Sequence, residues 1–213
     1  MNWRRGVRLL LWIALVCGVL VGVVFIFLDT WTVPGDDAQF AVSIEPTLGA
    51  GDVLLVTRSA GASDGAFVRC TDPDAPARFV VGRVVGTAGD AIEFTNGTLL
   101  VNNRTPTASV ACDPAVVRLK NPGTQDDEDL ACFMEELGGS THPALRSQKN
   151  APGRDSKTTV EPGKVFLASD NRLLHLDSRD FNTLAPGNCH RIALRLWSAN
   201  GWLDAKKRLT VLW

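Results

Sequence analysis

From Leu9 to Leu28 the chain carries no charged side chain, a run of roughly 20 residues, long enough to cross about 30 Å of hydrocarbon as a helix. Arg4, Arg5 and Arg8 stand before this run and Asp29, Asp36 and Asp37 after it, a bias that predicts a cytoplasmic N-terminus. A cleaved signal peptide would have a shorter apolar core, about 7–15 residues, ending in a small-residue site. Here Asp29, Thr30, Trp31 and Pro34 follow instead, with Trp31 suited to the membrane interface, so the run reads as an anchor that stays. The expected division is a cytoplasmic segment at 1–8, a transmembrane anchor at 9–28 and an extracytoplasmic domain at 29–213.

Beyond the anchor the apolar residues fall into short runs broken by glycine. Val53-Leu54-Leu55-Val56 follows the turn at Gly51-Asp52, and Ala66-Phe67-Val68 follows Asp64-Gly65. Phe79-Val80-Val81 leads to Val84-Val85. Ile92-Glu93-Phe94 and Leu99-Leu100-Val101 flank Thr95-Asn96-Gly97, which predicts a hairpin turn. The stretch from about 103 to 160 is polar, with an acidic run from Gln125 to Asp129, and reads as an excursion rather than core. Strand pattern returns at Lys164-Val165-Phe166-Leu167-Ala168 and at Ile192 to Trp197. No long amphipathic helix is evident in this part, so the predicted class is a mainly β domain behind a single N-terminal helix.

Length and composition fit that division. With 213 residues and 45% hydrophobic content the chain has room for one anchor and one domain of medium size. A formal net charge of −1 argues against a nucleic-acid surface. Cys17 lies inside the apolar run and reads as a small apolar residue. Cys70, Cys112, Cys132 and Cys189 would face an oxidising compartment, where four cysteines allow three pairings. Cys112 with Cys132 is favoured because both fall in the polar stretch. No metal-spaced set of ligands and no phosphate-binding glycine loop is present, so no metal or organic cofactor is expected.

Three segments carry the candidate chemistry. They are Ser43-Ile44-Glu45-Pro46-Thr47-Leu48, Gly82-Arg83-Val84-Val85-Gly86-Thr87-Ala88-Gly89-Asp90, and Asp170-Asn171-Arg172-Leu173-Leu174-His175-Leu176-Asp177-Ser178-Arg179. In order and spacing they resemble the three boxes of the bacterial type I signal peptidase family. That family reads roughly Ser-Met-x-Pro-Thr-Leu, then Lys-Arg-Val-Ile-Gly-x-x-Gly-Asp, then Gly-Asp-Asn-Arg-x-x-Ser-x-Asp-Ser-Arg. Weaker echoes are Glu135 to Gly139 and the ending Arg191 to Trp197.

The resemblance implies a signal-peptidase-like β domain on a single-pass anchor in the bacterial inner membrane, with the domain periplasmic or extracellular. It also implies cleavage of signal peptides from exported preproteins by a Ser/Lys dyad. Carried over, Ser43 is the nucleophile, and Pro46 and Thr47 present its hydroxyl. Ile44 stands for the usual methionine, and Ile44, Val80 and Val81 are expected to contact substrate. Phe40 and Trp31 would hold this surface against the bilayer.

The departure is Gly82, where the family has its lysine. Glycine cannot accept the proton of a serine hydroxyl, so the family's dyad is absent. His175 occupies the place of a serine that hydrogen-bonds the lysine amine, and a void left at Gly82 would admit an imidazole. A histidine needs little tuning, since its ordinary pKa of about 6.5 leaves it mostly neutral at pH 7. Signal peptidases of the endoplasmic reticulum also use histidine, though at the lysine's own position. His175 is therefore the candidate base. Asp177 is its candidate orienter, or a structural partner of Arg179 or Arg83, with Asp170 in a similar role. Ala41 replaces a serine that supplies an oxyanion contact in many relatives. The alternative is a catalytically impaired pseudoprotease that binds signal peptides or partners an active paralogue.

Overall fold

The computed structural model describes residues 3–72, 74–108, 110–148 and 155–212. Residues 1, 2, 73, 109, 149–154 and 213 lie outside the description, as do the side chains of Trp3, Arg4, Arg5, Leu9, Leu20, Val21 and Val23. Parts of the predicted N-terminal segment and of the predicted excursion thus fall outside it.

The uncharged run folds into helix α1, Trp3–Phe27. Its stretch Gly6–Phe27 has a mean hydropathy of 3.0 and is long and apolar enough to cross a membrane. Strand β1 (Leu28–Thr32) follows without a loop and pairs antiparallel with β2 (Val53–Ala60), from Leu28↔Thr57 to Thr32↔Val53. Between them lies the short helix α2 (Ala38–Ser43).

Strands β3 (Phe67–Thr71) and β4 (Phe79–Thr87) come next, followed by the hairpin of β5 (Ala91–Thr95) and β6 (Thr98–Val101). At the hairpin turn Asn96 (φ 50°) and Gly97 (φ 74°) are both left-handed, the geometry a two-residue connection prefers. The polar stretch then forms β7 (Val116–Lys120), β8 (Asp127–Leu137) and β9 (Ser140–Ser147), an antiparallel sheet of its own. Strand β10 (Ser156–Thr159) returns to pair with β5. The chain closes with β11 (Val165–Ala168), helix α3 (Ser178–Phe181), β12 (Cys189–Trp197) and β13 (Thr210–Val211). The main sheet has the order β1-β2-β12-β3-β4-β11, with β13 beside β12. The domain is mainly β, as its alternating apolar runs predict.

Strand β4 is the centre. Its residues Val80 to Gly86 are all buried, because the strand is covered on both faces. Val81 packs with Ile44, Leu54 and Phe67, whereas Val80 and Val84 pack with Cys70, Val68 and Leu167. Val85 joins Ile92, Phe94 and Phe166 in a third cluster. Cys70 is bonded to Cys189 across β3 and β12, and Cys112 to Cys132 within the polar stretch, as their shared place in that stretch favours.

The polar stretch is less detached than its composition predicts. Leu130, Leu137, Ala144 and Leu145 are buried, and Leu145 bridges to Asn171. At its β8–β9 turn Gly138 (φ 56°) meets Gly65 (φ 74°), and a Cβ on either would run into the backbone beside the other. Only glycine permits this approach.

Candidate active site

Ser43 is the last residue of α2. That helix starts at Asp37, whose carboxylate accepts the Phe40 N–H at 3.0 Å. Within a helix a serine hydroxyl readily bonds a carbonyl one turn back, and Ser43 Oγ donates to the Phe40 carbonyl at 2.8 Å. Ser43 is wholly buried, so its hydroxyl is not presented at the surface as the sequence suggests. Thr47 does not support that presentation either, because its hydroxyl donates to Asp170.

The third segment is fastened directly to this turn. The Asn171 N–H donates to the Ser43 carbonyl at 3.1 Å, and its side-chain amide to the Val42 carbonyl at 3.0 Å. The Gln39 side-chain amide donates to the His175 carbonyl at 3.0 Å. Asp170 takes a two-pronged contact from Arg83, at 3.1 and 3.3 Å, with both residues buried. One carboxylate thus joins all three motif segments, since it binds Thr47 and Arg83 and sits beside Asn171. Burial opposes ionisation of Asp170, but Arg83, His142 and the Thr47 hydroxyl outweigh it and hold the carboxyl below its ordinary range.

Gly82 leaves no void. A Cβ there would lie 2.8 Å from the Ala168 carbonyl oxygen and 3.1 Å from its carbon. Strand β11 closes over this position, so no lysine-shaped space awaits an imidazole. His175 instead turns to α3. Its Nδ1 lies 2.8 Å from Asp180 Oδ2 and 4.0 Å from Asp177. Asp177, predicted as the orienter, is taken by Arg179 at 2.7 and 3.0 Å and by the Ser169 N–H at 2.7 Å. Burial opposes the charge on Asp177, and Arg179 more than compensates, leaving its carboxyl below the usual range. Among the described residues no hydrogen bond joins Ser43 to His175.

The predicted substrate contacts also move. Ile44, Val80 and Val81 are fully buried, because alternation along β4 sends its two valines into opposite core layers. Phe40 is buried as well, and Trp31 packs edge-on against it at 6.4 Å and against Phe79 at 5.9 Å. These aromatics line a groove of about 490 Å³ beside α2, together with Leu176, Phe181, Asp36 and Asp37. They form the walls of this recess where the sequence suggests a membrane contact.

Donor atoms of His175, Asp177 and Asp180 come within 4.8 Å of one another. Asp177 has both oxygens committed, and the Arg179 guanidinium beside it would repel a cation, so the set suits a metal poorly. Lys164 lies in the turn before β11, beside a different recess, and His190 Nδ1 is within 3.0 Å of the Thr57 carbonyl.

Two groups have partners that the sequence does not show. Asp180 is third in the helix that Asp177 caps, a capping-box spacing that is visible only once the helix is known. Glu135 is buried on β8, paired with Arg172 and 3.4 Å from His142, its cross-strand neighbour. His142 is buried, and that burial depresses its pKa, although Glu135 favours the charged form. A histidine with a depressed folded pKa binds its proton more readily when unfolded, so stability falls as pH drops below about 6.5. Urea midpoints at pH 7.5 and 5.5 should show this loss, and His142→Gln should reduce it.

Residues 6–197 match the family described as signal peptidase, peptidase S26. Signal peptidase IB of Staphylococcus aureus (strain N315) is 27% identical over 119 residues, covering 55% of this chain and 52% of that protein. The chain thus spans about half the length of these relatives. Signal peptidase I of Streptococcus pneumoniae serotype 4 is 27% identical over 161 residues, covering 73% of this chain and 78% of that protein.

Proposed function

The chain belongs to the signal peptidase family, peptidase S26, and from that premise we propose that it is a membrane-anchored serine endopeptidase removing signal peptides from exported preproteins. The observation that carries this reading is the fastening of the Asp170–His175 segment to the Ser43 turn through Asn171 and Gln39. It keeps a hydroxyl and an imidazole on one rigid scaffold.

In this reading Ser43 Oγ leaves the Phe40 carbonyl by rotating about χ1 and attacks the scissile carbonyl. His175 takes the hydroxyl proton on Nε2 and returns it to the departing amine. Water, deprotonated by the same nitrogen, then attacks the acyl-serine ester and frees the enzyme. Arg83, Asp170, Asp177 and Arg179 are structural, since their charges are spent on one another. The aromatic groove beside α2 receives the residues before the scissile bond. Helix α1 anchors the domain from a cytoplasmic N-terminus in the bacterial inner membrane, and the two disulfides suit the oxidising far side. Apolar segments of the preproteins would share the bilayer with α1.

The test is cleavage of a signal-peptide substrate by the full chain. Ser43→Ala and His175→Ala should each lower the rate by at least about 10²-fold while the unfolding midpoint holds. Full activity in His175→Ala would remove this residue from the mechanism.

A second reading is favoured by the burial of Ser43 and the bond from its hydroxyl to Phe40. The protein would then hold signal peptides without cutting them, beside an active paralogue. Binding without cleavage by the unmodified chain would select it.

A further inference from the structure

We propose that Asp180 is a positioning residue of this site: it holds His175 in the tautomer that carries hydrogen on Nδ1 and leaves Nε2 free to act as the base. This rests on the reading of His175 as base and goes beyond it, because it names the group that makes the histidine serviceable. Asp180 Oδ2 accepts the Asp177 N–H at 3.2 Å and lies 2.8 Å from His175 Nδ1. The amide can only donate, so it fixes the carboxylate at the start of α3. The carboxyl of Asp180 is partly buried, which opposes its charge, but the contact with His175 wins and keeps it below the ordinary range. An ionised carboxylate can only accept, so the hydrogen between them belongs to Nδ1. A neutral imidazole has one N–H, and the lone pair then sits on Nε2.

The alternative tautomer would be useless here. Without a partner, neutral imidazole prefers its hydrogen on Nε2, which puts the basic lone pair on Nδ1, the nitrogen turned toward α3. Asp177 cannot take over. It is 4.0 Å from Nδ1, and both of its oxygens already serve Arg179 and the Ser169 amide. The His175 side chain is only 12% exposed, so water competes weakly for the ring. The carboxylate that caps a four-residue helix therefore also sets the face on which a histidine is basic.

The experiment uses the full chain in detergent micelles with ¹⁵N-labelled histidine. The sequence has three histidines, and His175→Gln assigns the relevant signal. Two-bond ¹⁵N–¹H correlation shows which ring nitrogen carries the hydrogen. The unmodified protein should show His175 protonated on Nδ1, and Asp180→Ala should move it toward the Nε2–H form. Cleavage by Asp180→Ala should fall by about 10²–10⁴-fold. A cap alone would not alter the tautomer. Should Asp180→Ala fail to fold, Asp180→Asn keeps an oxygen for the Asp177 amide while removing the charge, and should still lower the Nδ1–H population. An unchanged tautomer in the folded variant overturns the proposal. A changed tautomer with full cleavage in both Asp180→Ala and His175→Ala upholds the positioning role and overturns the base reading.

Discussion

Gly82→Lys is expected to destabilise the protein by about 3–5 kcal/mol and to return no cleavage activity. The family pattern suggests the opposite, since it would restore the missing base. The obstacle is backbone: the new Cβ would sit 2.8 Å from the Ala168 carbonyl oxygen and 3.5 Å from Leu167 Cβ. Strand β11 cannot retreat cheaply. Ala168 pairs with Arg83, and the next two residues are held by Asp177, Arg83 and Thr47. Overpacking a core in this way costs about 1–3 kcal/mol before any charge is considered. The buried ammonium adds a desolvation cost. A change of this size should lower the thermal midpoint by on the order of 10 °C. Gly82→Ala separates the two parts, because it carries the steric share without the amine. A Gly82→Lys protein melting at the unmodified temperature would show that β11 yields, and would reopen the position to a base.

Asp170→Ala is expected to cost about 3–5 kcal/mol, because it removes the buried carboxylate that faces the Arg83 guanidinium in the interior. Arg83 and Asp170 are 1% and 0% exposed, so water cannot rescue either partner. The damage should come from the buried charge that loses this carboxylate more than from the lost contact itself. Replacing both, as Arg83→Met with Asp170→Leu, should therefore hurt less than Asp170→Ala alone. Urea unfolding of Asp170→Ala and of the double variant measures this directly, and a larger loss in the double variant would overturn it. The pH dependence has a defined sign. A carboxyl whose folded pKa is depressed adds stability above its unfolded value, about 3.9, and loses it as pH falls through the lower folded value. Asp170→Asn should accordingly flatten part of the acid limb below about pH 4.

What the sequence makes legible depends on distance along the chain. The apolar runs of β2 to β6, β11 and β12 declare themselves because alternation and turn residues are local. Asn96-Gly97 announces its turn for the same reason. Strand β8 does not, because Asp127, Glu128, Asp129, Glu135 and Glu136 disguise it. Glu135 is tolerated inside because Arg172, far along the chain, meets it there beside His142. Helix α2 is hidden by its length, six residues, too short to show a period. The three motif segments can be read in order, and so can the glycine at the place where the resemblance implies a lysine. Whether Gly82 leaves room cannot, since that is set by where the Ala168 backbone passes. The face on which His175 meets a carboxylate is likewise fixed by a helix of four residues that leaves no periodic trace.

The two disulfides are nested: the Cys112–Cys132 bridge lies wholly within the loop closed by Cys70 and Cys189. A single peptide-bond cut anywhere between those outer cysteines leaves one covalent molecule. The exposed tip between β7 and β8, where Asn121 to Asp126 make the turn, is enclosed by both bridges. A nick there would open the backbone while Gly82, Asp170 and His175 all remain tethered to the piece that carries Ser43. Such a molecule would keep its full mass on a non-reducing gel and come apart only under reductant.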